Sequence, residues 1–331
     1  VSGVVRTVKI ELGYGHKAAE RDLSASPVAL AINLSQMCGQ HSVAITWAAY
    51  RAIEELSNQE VPFSAQCLRS IALEVERVMN HLVTLRNMAM GMSWKGGTWL
   101  TGKALVEAQR VASDLGGMPL GRRFVFGGFF YPDLDLDRLA RNLENLENVA
   151  KPVMELWVHH SSVAERLIGL AKLTAAQASE LGLVGPIARA SGINCDVRLV
   201  DPFGAYHHQS PRVQPQGAGD AFARVVVMAS EVMDSIRLAR GFLHELPAEA
   251  VAVPAPLKLT SGLRAARVEG SDGETVAVIS VGHEKNLEAA HLRPGSAANV
   301  AALRPALQGV RFEDWALAYL SLGICPTCVD R

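Results

Sequence analysis

Residues 61–92 read VPFSAQCLRSIALEVERVMNHLVTLRNMAMGM. Leu68, Ile71, Val75, Val78, Leu82, Leu85, Ala89 and Met92 recur at steps of three and four, the spacing that lines one face of an α-helix and forms a bundle seam. This is the clearest period in the chain. It predicts an α-rich bundle built around one long helix.

Upstream, residues 27–56 carry a second helical stripe through Ile45, Ala49, Ala52, Ile53 and Leu56, with a break expected at Gly39. The stretch from Val4 to Leu12 alternates branched apolar and polar residues and reads as a half-buried strand ending at Gly13. Downstream, paired glycines at 96–97, 116–117 and 127–128 punctuate a third helix and a short apolar strand, RFVFGGF at 123–129. Another long helix is expected from about Asp133 to His159. Residues 183–216 hold Gly, Pro and isolated charges without a period, too long for a casual connector and therefore a candidate functional segment. Helical spacing returns from Gly219 to Leu246. Two or three β-like runs follow between Leu263 and Leu292, then a helix and a cysteine tail. With neither an internal repeat nor a low-complexity linker, the simplest reading is one mainly α domain over 1–331 with a small β appendage.

Composition narrows the function. The chain has 331 residues, 49% hydrophobic and 20% charged, enough for a sizeable core. A formal net charge of −1 and the lack of a basic tract argue against nucleic acid as a partner. Five cysteines provide no disulfide framework and point to a reducing, cytoplasmic setting. No apolar run approaches the roughly 20 residues of a spanning helix, so membrane association is expected through partner subunits. The chain opens on Val1 rather than Met, which implies trimming or a missing upstream strand.

The chemistry gathers at two cysteine motifs. Cys325 and Cys328 form a C-x-x-C pair in the terminal LGICPTCVDR, and Cys38 and His41 stand three apart in QMCGQH. On a helix that spacing puts both side chains on one face. Together they make a three-cysteine, one-histidine set split between the two ends of the chain, able to hold one metal ion. The plainer reading is a buried thiol beside a histidine that satisfies a backbone group. Cys67 and Cys195 lack a partner at ligand spacing and read as core thiols.

Six blocks then match one family in order. LGYGHKAAE (12–20), CGQHSVAITWAAYRAIEEL (38–56), VPFSAQCLRSIALEVERVMNHL (61–82), GPIARASGINCDVRLVDPFGAY with the following GDAFAR (185–224), HLRPGSAANVAAL (291–303) and CPTCVDR (325–331) resemble the large subunit of energy-converting, membrane-bound nickel-iron hydrogenases. That family is related to the quinone-site subunit of respiratory complex I. The resemblance implies the hydrogenase large-subunit bundle, an iron-sulfur small subunit that feeds electrons, and membrane subunits that hold the chain at the inner membrane. It also implies a proton-carrying role for Glu20, which otherwise reads as a surface carboxylate paired with Lys17 or Arg21.

Departures from the family are equally specific. In the hydrogenases four cysteines hold nickel and two of them bridge to iron. Here His41 stands in a bridging position, and an imidazole cannot bridge two metals as a thiolate does. Ile45 replaces a histidine, Asp272 in EGSDGE replaces an arginine that lies over the iron's ligands, and Gly323 and Ile324 replace Asp-Pro. These changes count against a standard nickel-iron centre. They leave nickel or zinc alone in the ligand set, with iron-sulfur clusters confined to the partner. Two other readings stay open: a metal-free quinone-site subunit, for which Tyr50 is one helical position out of place, and a scaffold stabilised by zinc. The two ligand pairs are expected to converge at the end of the seam helix, with the iron-sulfur partner docked near CGQH and residues 183–216. Glu74, Arg77 and His81 read as a polar stripe that could close as a network within their own helix.

Overall fold

A computed structural model describes residues 3–20, 26–116, 134–247 and 257–330. The seam becomes α3 (Phe63–Gly91), the central helix, whose stripe from Leu68 to Ala89 is buried while Met92 caps the end. Around it run α1 (Pro27–Met37), α2 (Ser42–Ser57), α4 (Lys95–Gly116), α5 (Leu136–His159) and α10 (Ala221–His244). Helix α3 packs against α4 and α10, and α5 completes the bundle by touching both of those. Between α5 and α10 lie the short helices α6 (Ser161–Leu167), α7 (Ala175–Glu180), α8 (Gly185–Ala190) and α9 (Val197–Val200).

The helix starts are locally encoded. Ser26 accepts from Ala29 N ahead of Pro27, Asp135 from Arg138 N, and Asp220 from Ala223 N. Each satisfies an amide that the helix itself leaves without a partner.

The β appendage is a three-stranded antiparallel sheet, β1 (Gly262–Gly270), β2 (Gly273–Val281) and β3 (Leu287–Arg293), in the order β1-β2-β3. Gly270 pairs with Gly273, so a two-residue turn, Ser271 and Asp272, joins the first two strands. Helix α2 lies across β1 and β2. The chain finishes with α11 (Gly295–Asn299), α12 (Leu303–Leu307), α13 (Trp315–Ser321) and α14 (Pro326–Asp330).

Two sequence expectations change. Val4 to Leu12 contributes only one bridge, Val4 with Arg311, instead of a strand. Its alternation is real, since Val8 and Ile10 pack on a smaller core around Leu183, Ile187, Leu303 and Leu322. Alternation demands an extended backbone with one buried side, and a strand needs a neighbour as well. Residues 183–216 contain two short helices and a 3-10 turn, elements too brief to show a period. The expected strand at 123–129 lies outside the described residues.

Leu82, fully buried at the middle of the seam, is expected to cost about 2–5 kcal/mol when replaced by Ala, through lost contacts and the cavity left behind. A fall in the urea midpoint with an unchanged slope would measure it.

Candidate metal centre

Cys38 caps the C-terminus of α1 and His41 occupies the N-cap of α2, so the two residues flank a break between helices rather than sharing one helix face. The break at Gly39 was legible, but the expected helical geometry for the pair was wrong. Helix α2 has no side-chain cap of its own. Glu76 of α3 supplies it, accepting from Val43 N at 2.6 Å and Ala44 N at 3.0 Å. One turn later Asn80 donates to Gln40 O at 2.5 Å and to Ser271 Oγ at 2.8 Å. Glu76 and Asn80 thus pin the ligand break to the bundle. Both interrupt the apolar character of α3, a signal present in the sequence that the regular stripe obscures. Burial pushes the Glu76 carboxyl up to about 7, against the opposing pull of His41 and the two amides.

The C-terminal pair reaches the same place. Cys325 precedes α14 and Cys328 lies within it; Cys325 N donates to Ser296 Oγ at 3.0 Å. The tail is clasped by the N-terminal segment, where Gly13 N and Gly15 N donate to the Asp330 carboxylate at 2.7 and 2.6 Å.

The four side chains meet. Cys38 Sγ lies 3.5 Å from Cys325 Sγ, although the two residues are 287 apart in sequence. His41 Nδ1 lies 3.7 Å from Cys38 Sγ and 3.4 Å from Cys328 Sγ. All four ligand atoms fall within 4.8 Å of one another and all four residues are buried. A tetrahedral ion with metal-sulfur bonds of about 2.3 Å and a metal-nitrogen bond of about 2.0 Å separates its ligand atoms by roughly 3.5–3.8 Å. The donor set therefore fits one ion. The expected convergence holds, but it occurs beside the middle of α3, at Glu76 and Asn80, rather than at its end.

Asp272 completes the arrangement. Its Oδ1 stands 3.5 Å from His41 Nε2, within ion-pair distance but long for a hydrogen bond, and has no hydrogen-bond partner among the described residues. Its Oδ2 accepts from Ser296 N and Ser296 Oγ, each at 2.6 Å. The ring nitrogen facing the thiols is thus Nδ1, and the opposite nitrogen faces a carboxylate, the outer-shell arrangement that orients a metal-ligating histidine. Two departures noticed separately in the sequence, His41 and Asp272, are neighbours in space. Burial alone would lower the His41 pKa, but Asp272 and hydrogen bonds donated by the ring to the sulfurs of Cys325 and Cys38 hold it well above the usual imidazole value. Among the thiols, hydrogen bonds from Cys328 and Cys38 favour a thiolate at Cys325.

The turn that presents Asp272 is gripped by two glycines. A Cβ at Gly185, where φ is +65°, would lie 2.5 Å from Asp272 O, and one at Gly295 would lie 2.6 Å from it. These glycines belong to the GPIARASG and RPGSA blocks, and only a residue without Cβ admits so close a backbone approach.

Glu20 accepts from Leu292 N on β3 at 2.6 Å. Lys17, its possible surface partner, donates to Met37 O at 3.0 Å. Tyr50 is fully buried, its hydroxyl has no hydrogen-bond partner among the described residues, and burial first, then Glu54, push it up to about 12. Cys67 is a core thiol, as read, whereas Cys195 is exposed, so its core reading was wrong: it lies in the irregular stretch between α8 and α9, outside the packed interior.

The polar stripe on α3 is not confined to its own helix. Glu74 and Arg77 do meet, at 3.3 Å, but Arg198 approaches Glu74 at 2.9 Å and Asp196 at 2.7 Å. Tyr206 and Ser235 also donate to Glu74. Arg77 donates to Gly270 O and Glu269 O at 2.8 and 2.7 Å, and His81 meets Glu231 at 2.8 Å. Arg189 joins Glu231 and Glu269 at 2.7 and 2.8 Å. The charges of the irregular segment thereby lock α3, α10 and β1 together beneath the Asp272 turn.

Comparisons with known proteins agree with this architecture. The family described as "Respiratory-chain NADH dehydrogenase, 49 Kd subunit" matches residues 123–262. The "Carbon monoxide-induced hydrogenase" of Rhodospirillum rubrum is 27% identical, the match covering 99% of this chain and 92% of the relative. The "Membrane-bound hydrogenase subunit alpha" of Pyrococcus furiosus is 26% identical over 98% of this chain and 81% of its own length. An NADH-quinone oxidoreductase subunit of Desulforamulus reducens is 27% identical over 94% of this chain and 86% of its own length. A chain from the structure of the membrane-bound sulfane sulfur reductase, an archaeal respiratory membrane complex, superposes with a TM-score of 0.90 at 23% identity, covering 99% of this chain and 92% of that one. Over most of its length the chain is therefore similar both to NADH-quinone oxidoreductase subunits and to a membrane-bound hydrogenase subunit.

Proposed function

We propose that the chain is the large subunit of a complex-I-like or hydrogenase-like oxidoreductase in which Cys38, His41, Cys325 and Cys328 hold a single nickel or zinc ion. The observation that carries this reading is the pairing of His41 with Asp272 beside three thiols. A histidine oriented by a carboxylate is a terminal ligand, and a four-ligand set at tetrahedral spacing supports one ion better than a two-metal bridge. Nickel there would supply a redox-active centre, and zinc would supply a closed link between the two ends of the chain. Glu20 is the carboxyl proposed to carry protons, from its position against β3, where it accepts from Leu292 N.

The proposed partners are an iron-sulfur small subunit and membrane subunits of a larger complex. Five cysteines, three of them in this set, cannot also ligate an electron-transfer chain. No helix among the described residues is long and apolar enough to cross a membrane, so membrane subunits would place the chain peripherally on the cytoplasmic side. Exposed Leu199 and Val200 lie in the segment proposed to face the iron-sulfur partner.

The test is elemental analysis with infrared spectroscopy on the purified protein. One equivalent of nickel or zinc per chain, without bands from iron-bound carbonyl or cyanide, is the expected result. Stoichiometric iron with such bands would replace this reading with a standard nickel-iron centre, and a metal-free, quinone-active protein would replace it with a quinone site. Asp272→Asn keeps the shape but removes the charge facing His41, and should weaken metal retention by about 10 to 100-fold in chelator competition.

A further inference from the structure

Three buried arginines besides Arg69 lie in the interior at 0–3% exposure and meet carboxylates: Arg77, Arg189 and Arg198. Arg224 is equally buried but has no carboxylate within ion-pairing distance among the described residues. Its guanidinium donates to Gly219 O at 3.0 Å, Ala171 O at 3.0 Å and Ser321 Oγ at 2.9 Å, all neutral acceptors, and its Nε has no hydrogen-bond partner among the described residues. Burial pulls it down to about 10, with Asp220 opposing from a longer range. A buried charge without a counter-charge is costly, and neutral carbonyls do not cancel it.

Arg224 lines a cavity of about 200 Å³ between α3, α10 and α13, and His41 and Asp272 line the same cavity. Thr84, Asn87 and Tyr319 also line it, and none of their side chains makes a hydrogen bond to the described residues. The space exceeds the roughly 30 Å³ share of one water several-fold. It therefore combines a buried positive charge, three unengaged polar groups able to donate, and room for a ligand of a few atoms.

We propose that this cavity binds a small monovalent oxyanion of formate size, with Arg224 supplying the counter-charge and Thr84, Asn87 and Tyr319 donating to its oxygens. One unpaired cation matches one negative charge. A dianion is disfavoured, because the Asp272 carboxylate also lines the cavity. The site needs no ion among the thiols, so it stands or falls separately from the metal reading.

The probe is sodium formate, added to the full chain with whatever subunits accompany it in chloride-free buffer, and followed by saturation transfer to the formate proton and by calorimetry. Saturable binding is expected, displaced by nitrite and not by neutral formamide. Asn87→Leu, at a half-buried position, should weaken binding about 10-fold by removing a donor to a charged ligand, and Arg224→Met should abolish it. Absence of saturable binding, equal displacement by formamide, or unchanged affinity in Asn87→Leu would overturn the proposal. If Arg224→Met does not fold, the Asn87→Leu affinity and the formate-formamide contrast decide.

Discussion

Arg198→Met is expected to lower the stability of the fold by roughly 3–5 kcal/mol, because it breaks a buried ion pair and leaves its carboxylates without their cation. Arg198 contacts Glu74 and Asp196, and all three residues are buried. Met fills similar space, so the loss is electrostatic rather than a cavity effect. Denaturant unfolding would show it as a lowered midpoint, and a double variant that also neutralises Glu74 should recover part of the loss.

The same network sets a pH dependence. Glu74 and Asp196 are pushed up by burial and pulled further down by Arg198, so their folded pKa values fall below the ordinary 4.5 and 3.8. Glu231 is likewise held low by Arg189 and His81 despite its burial. A carboxylate with a lowered folded pKa stabilises the fold fully above its unfolded value and loses that contribution as pH falls through the folded one. Glu269 runs the other way, raised to about 7 by burial and Asp196. Its contribution declines as pH rises from the ordinary carboxylate value toward 7. Stability should therefore fall in acid below about pH 4, and Arg198→Met should flatten that acid limb.

The second large effect is expected at the thiols. On the proposed metal reading, Cys328→Ala removes one of four ligands, and retention should fall by more than the roughly 100-fold that loss of an outer-shell partner can cost. The ion would join the α1-α2 break to the C-terminal helix, so its loss should also lower the unfolding temperature, as chelation should in the unaltered protein. Equal metal content in the variant and the unaltered protein would exclude Cys328 as a ligand.

Much of the architecture was legible because it is written in local spacing. The stripe from Leu68 to Ala89 specifies α3 through contacts three and four residues apart, and Asp135 and Asp220 mark helix starts within a single turn. The alternating runs after Leu263 specify the sheet in the same way. Cys38, His41, Cys325 and Cys328 could be named as a set from their spacing and from resemblance to the family.

Tertiary structure alone decided how those residues meet. Nothing near His41 in sequence announces Asp272, and nothing near α2 announces that Glu76 of another helix caps it. Glu74 and His81 suggested a stripe on one helix, whereas their strongest partners, Arg198 and Glu231, come from distant segments. The physical reason is desolvation: once folding buries these groups, each must find a counter-charge or hydrogen bond wherever the packed chain brings one. Local pattern shows which residues enter the interior, and the fold determines which groups satisfy them there.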